Sequence, residues 1–104
     1  MKLQKVELKV VGVTFNNEDG SDRQEIIKQL PDNCSFMIVR ERHNKYDPNA
    51  IMVFANLRQI GYIGKDYAKI LAAKMDAGTQ FTVVLKDKGV YEKTAYCHII
   101  ISEV

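Results

Sequence analysis

A chain of 104 residues that is 46% hydrophobic and 27% charged has the size and balance of one globular domain. It can bury a core without disulfides or metals, and the reading is a single domain over residues 1–104. Its 15 Lys and Arg residues against 13 Asp and Glu leave a net charge of only +2, too weak for sequence-blind coating of DNA.

No apolar run approaches the roughly 20 residues of a membrane helix. The charges scattered through MKLQKVELKV argue against a secretory leader. A cytoplasmic protein with no membrane partner is expected.

In chain order, Val6, Leu8 and Val10 alternate with Lys5, Glu7 and Lys9, as a half-buried strand does. The parity then switches at Val10-Val11, and Val11, Val13 and Phe15 continue it around Gly12, the pattern of a bulge or a sharp bend. Ser21 followed by Gln24 fits a capping box, and Ile26, Ile27 and Leu30 give a first helix near 21–30 its apolar stripe. Pro31 ends it. Cys34 to Arg40 reads as a second strand. A hairpin follows, with one arm over Ala50 to Phe54 and the other over Gln59 to Ile63.

Tyr67, Ile70, Leu71 and Met75 are spaced for a second amphipathic helix over 65–77, ending before Gly78. Thr79 to Lys86 alternates again. Asp87 to Lys93 reads as a charged loop, and Thr94 to Val104 as a last strand with Ala95, Cys97, Ile99 and Ile101 on one face. Six strands with two short helices make a parallel βαβ sheet improbable. The expected fold is mainly β (α+β): a small, mostly antiparallel barrel of OB-like or SH3-like type with helices at its ends.

Little of the chain offers chemistry. Cys34, His43, Cys97 and His98 show no zinc spacing, and adjacent Cys97 and His98 point to opposite faces of a strand. Neither metal, cofactor nor disulfide is expected. There is no G-x-S-x-G, and Gly61-Tyr62-Ile63-Gly64-Lys65 lacks the form of a phosphate loop, so a non-catalytic protein is expected.

Binding chemistry concentrates between Arg40 and Lys65. This window holds five basic and two acidic residues, a local +3 inside a chain of +2. Asp47-Pro48 signals a type I turn. Just before it, Tyr46 sits among Arg40, Arg42, His43 and Lys45; Tyr62 lies beside Gly61 and near Lys65. Aromatic rings interleaved with cations are what single-stranded nucleic acid needs, bases stacking while Lys and Arg follow the phosphates. A plain folding role for the turn and the tyrosines is the competing reading.

Val39-Arg40-Glu41, Asn44, Tyr46-Asp47, Asn49-Ala50-Ile51, Val53 and Gly61-Tyr62-Ile63, with Val11-Gly12-Val13 near the start, resemble the HIRAN domain over nearly the whole chain. The resemblance implies a six-stranded OB-like barrel with two helices, and capture of the 3′ end of single-stranded DNA in repair or replication-fork processing. A partner helicase or nuclease would act on that DNA. It implies that Asn44, Tyr46 and Asp47 line the pocket for the terminal nucleotide, Tyr46 stacking on its base and Asp47 accepting from the 3′-hydroxyl.

Lys65 would meet a phosphate. Tyr62 stands where helicase-linked members carry histidine, and Gly64 where many stand-alone members have proline. Thr14-Phe15 stands where the helicase-linked members have an Arg-Tyr pair, so Phe15 keeps the aromatic plane while the cation is lost. The expected nucleic-acid-binding set is Phe15, Arg40, Asn44, Tyr46, Asp47, Tyr62 and Lys65. The alternative is a protein-interaction domain on the same fold with no nucleic-acid role.

Overall fold

The computed structural model describes residues 5–104. Strand β1 (Val6–Lys9) is followed by helix α1 (Arg23–Lys28), strands β2 (Phe36–Arg40), β3 (Ile51–Ala55) and β4 (Arg58–Tyr62), helix α2 (Lys65–Asp76), and strands β5 (Phe81–Tyr91) and β6 (Thr94–Glu103). The strands form two antiparallel sheets of three, in the orders β1-β6-β5 and β2-β3-β4. The alternation seen in the sequence is realised as burial. Ala95, Cys97, Ile99 and Ile101 of β6 face Ile51, Val53 and Ala55 of β3 across one core, with Ile60 of β4, Leu71 of α2 and Ile26 and Ile27 of α1.

The bend expected at Val10-Val11 carries the chain from one sheet to the other. Val10 N donates to Cys97 O of β6, while Val11 N donates to Tyr62 O of β4 and Val11 O accepts in return from Tyr62 N, all at 2.9 Å. Val11–Tyr62 is an isolated bridge, so 11–15 is no strand of its own. Gly12 turns away at φ +69, and Phe15 points to solvent. The crossing needs Gly61: a Cβ there would press into the Val11 carbonyl and lie 2.7 Å from Val10 Cγ1. On the opposite side β2 and β5 approach without pairing, so the six strands form two packed sheets rather than a hydrogen-bonded closed barrel.

Three expectations shift. The 87–93 segment is not a loop: β5 runs on to Tyr91, and only Glu92 and Lys93 turn, both at positive φ. A register shift between Leu85 and Asp87 resets the alternation, and the charges there sit on a free edge, where charged side chains discourage further pairing. Helix α1 is shorter than 21–30 and is capped by Asp22, whose carboxylate accepts from Gln24 N at 2.8 Å. Ser21 instead donates its hydroxyl to Asp19 at 2.6 Å, and the Gln24 side chain bonds Ala95 on β6 and the carbonyl of Val13.

On α2 the buried stripe is Ala68, Leu71 and Ala72, with Tyr67 and Met75 half-buried and Ile70 turned outward. The α2 C-terminus is held by Asp76, which meets Arg40 Nε at 3.1 Å and Arg42 Nη2 at 2.8 Å. Among the described residues no helix is long and apolar enough to cross a membrane.

Candidate nucleic-acid interface

The loop from β2 to β3 is a self-bonded projection. Its base is closed by Glu41 N donating to Ala50 O at 2.9 Å. Within it, Asn44 Oδ1 accepts from the backbone N–H of Tyr46 at 2.8 Å and of Asp47 at 2.9 Å, the way an Asx turn replaces backbone partners. The expected turn at Asp47-Pro48 forms: Ala50 N donates to Asp47 O at 3.1 Å and Asn49 N to Asp47 Oδ1 at 2.9 Å. These bonds leave Tyr46 at the apex, 80% exposed, with the Lys45 ammonium 5.2 Å from its ring centroid. Asp47 has one oxygen committed to the turn. A carboxylate accepts about four hydrogen bonds, so it retains capacity for a ligand donor.

Below the loop lies Tyr62. Its hydroxyl donates to Glu41 Oε1 at 2.8 Å, and the same oxygen takes Asn44 Nδ2 at 2.6 Å. Glu41 therefore ties the ring of β4 to the residue that shapes the loop. Burial, and then this bond to a carboxylate, raise the Tyr62 phenol above its ordinary 10.0, so it stays a proton donor at neutral pH. The Arg23 guanidinium covers the other side of the ring, 5.4 Å from its centroid. Arg23 is only 7% exposed and donates to Asn17 Oδ1 at 2.7 Å and Gly12 O at 2.9 Å. Both partners are neutral, so its charge stays available to the surroundings.

Lys65 opens α2, and Gly64 before it supplies no side-chain cap. The positive end of a twelve-residue helix and the Lys65 side chain thus stand together, a combination suited to an anion, with Asp66 as the one acidic side chain of the same turn.

Six of the seven residues nominated from the sequence (Phe15, Asn44, Tyr46, Asp47, Tyr62 and Lys65) line one cavity of about 470 Å³, with Arg23, Val11, Ala50 and Ile63 completing it. The seventh, Arg40, lies apart from it. Its side chain is 11% exposed and holds the Asp76 carboxylate and Ala50 O, bracing the base of the loop against α2. Arg42 joins the same brace.

Two contributors escaped the sequence reading. Arg23 had a signal: a cation in the first turn of a helix opposes the helix dipole, so its presence there asks for another partner. Glu41 was visible within the Arg40-Glu41 pair, but its two bonds cross 21 residues to Tyr62 and three to Asn44, and the longer of these has no local signature.

The sequence and the fold match known proteins. The HIRAN domain profile fits residues 3–103. Among solved structures, the HIRAN domain of human HLTF superposes with a TM-score of 0.71 at 22% identity, over 98% of this chain and 76% of that one. A protein from Lactobacillus plantarum superposes with a TM-score of 0.73, also at 22% identity, over 100% of this chain and 96% of that one. At such identities the superpositions establish the fold. No curated protein matches the chain.

Proposed function

Since the chain belongs to the HIRAN domain family, whose members are non-catalytic nucleic-acid-binding modules and whose membership supports a role in DNA binding, we propose that it holds the 3′-hydroxyl end of single-stranded DNA in the cavity beneath Tyr46. One observation carries this reading: Phe15, Asn44, Tyr46, Asp47, Tyr62 and Lys65 line one cavity, of a size that suits a nucleotide-sized ligand.

Each group has a task it can perform there. Exposed Tyr46 stacks on the terminal base, and Phe15 offers a second aromatic plane. The Asp47 carboxylate accepts from the 3′-hydroxyl, a donor matched to an acceptor-only group. Lys65 and the head of α2 meet the adjoining phosphate. Asn44 acts one step back, fixing the backbone of Tyr46 and Asp47 rather than touching the ligand. Arg23 adds a buried positive charge behind Tyr62, on the side where Thr14 brings none.

A 3′-phosphate in the same place would set anion against anion. A 5′ end would present the opposite backbone polarity. With one surface lysine and one helix end for the phosphates, binding is weak, salt-sensitive and confined to the terminal nucleotides. A partner helicase or nuclease supplies any chemistry on the strand. Amide chemical-shift mapping with a short oligothymidine bearing a free 3′-hydroxyl tests the site. Shifts concentrated at residues 44–47, Tyr62 and Lys65 are expected, and shifts confined to the β5–β6 hairpin would overturn it.

A further inference from the structure

Behind Tyr62 lies a second cavity, a groove of about 530 Å³ between the 16–21 loop and the outer face of the β2-β3-β4 sheet. Its floor is apolar. Met52 and Phe54 alternate outward along β3 while Ile51, Val53 and Ala55 face the core. Leu57 stands at the lip.

Leu57 is the unexpected residue. It occupies the second position of the two-residue β3–β4 turn at φ +68, after Asn56 at φ +49. Turns of this kind favour glycine at that position because a Cβ is strained there. The chain instead places a large apolar side chain at this point and leaves it 80% exposed. The β5–β6 turn has the same angles, with Lys93 at φ +68, but a lysine is at home in water. Strain combined with apolar exposure is a cost that neither folding nor solvation repays.

The rim carries the opposite charge to the nucleotide cavity. Glu18, Asp19 and Glu41 line the groove against Arg23 and Arg58, and Arg23 is buried and held by Asn17 and Gly12. The Ser21 hydroxyl and then the Ser21 N–H bonded to Asp19 lower that carboxyl's pKa, so Asp19 stays ionised through the neutral range. Three carboxylates around an apolar floor repel a phosphate backbone and attract a cation with an aliphatic stem.

We propose that this groove docks an extended protein segment in which apolar side chains alternate with Lys or Arg. The apolar side chains sit on Met52 and Phe54 under Leu57, and the cations meet Glu18, Asp19 and Glu41. The occupant is a different protein, and the site is independent of the DNA reading. It shares with the nucleotide cavity only the wall made by Tyr62 and Arg23.

The test uses two short fluorescein-labelled peptides, one alternating Leu with Lys and the other Leu with Glu, titrated into the whole protein. The Lys peptide is expected to bind saturably and at least about ten-fold more tightly than the Glu peptide. Leu57→Gly relieves backbone strain and so keeps the fold; it should weaken the Lys peptide several-fold and leave oligonucleotide binding unchanged. Glu18→Gln should narrow the preference between the peptides. Equal affinity for the two peptides, or a Leu57→Gly protein that binds the Lys peptide as before, overturns the proposal. So does sedimentation showing a wild-type dimer that Leu57→Gly converts to monomer, because the occupant would then be a second copy of this chain.

Discussion

Two cavities lie back to back across Tyr62 and Arg23, and they differ in what surrounds them more than in size. The one under Tyr46 is lined by Arg23 and Lys65 against Asp47, with a helix N-terminus added and its aromatic ring presented to solvent. The one behind Tyr62 is lined by Glu18, Asp19 and Glu41 against Arg23 and Arg58, over a floor of Met and Phe. The shared wall shows that fold alone does not assign a ligand. Under the proposed function, the sign of the charge and the exposure of the Tyr46 ring suit one side to a nucleotide, while the acidic rim of the other does not.

The comparison breaks most completely if the wall itself is disturbed. Gly61→Ala forces a Cβ against the Val11 carbonyl and Val10, where overpacking costs about 1–3 kcal/mol or more. Denaturant melts should show that loss, with both cavities failing together. A stable Gly61→Ala protein would mean that the crossing from β1 to β4 tolerates more movement than its geometry implies.

Asp47→Ala sharpens the comparison on one side only. It should erase a preference for 3′-hydroxyl over 3′-phosphate ends worth roughly 1–3 kcal/mol, read from competition binding. Lys65→Ala should weaken all ends alike and reduce the slope of log affinity against log salt by about one unit. Tyr62→Phe keeps the ring and removes the bond to Glu41, at about 0.5–1.5 kcal/mol of stability. It should disturb oligonucleotide binding only slightly, because the hydroxyl is turned to Glu41.

The smallest effects come with pH. Burial and Glu41 raise the Tyr62 pKa in the fold, so the unfolded chain loses that proton first. The stability this contributes is full below 10.0 and falls as pH rises through the folded value. Asp76 runs the other way. Arg40, and more weakly Arg42, lower its pKa, so its contribution is present above 3.8 and is lost as pH falls through the lower folded value. Melts across both windows check these signs, and Asp76→Asn should flatten the acid limb.

Much of this was legible in the chain because it rests on short-range pattern. Period-two alternation located β1, the first half of β5 and β6. Apolar runs around a turn located β2 and the β3–β4 hairpin, and the parity break at Val10-Val11 located the bend where the chain passes between the sheets. The Asp47-Pro48 turn placed Tyr46. What stayed hidden depends on partners distant in sequence. The sequence could not show that Arg40 is occupied by Asp76, 36 residues away, or that Tyr62 is bonded to Glu41. The 87–93 strand was hidden for another reason: edge charges and a register shift mimic a loop when only polarity and period are read. Leu57 was equally silent, since a leucine in a turn acquires meaning only from its φ.

In the proposed function, the positive cavity recognises the end of a strand through Asp47. Fluorescence-anisotropy titration of the unmodified protein, at low salt, with two oligonucleotides identical except for a 3′-hydroxyl or a 3′-phosphate, tests it most directly. The 3′-hydroxyl strand is expected to bind more tightly, with the difference lost in Asp47→Ala. Equal affinity for the two strands would contradict it.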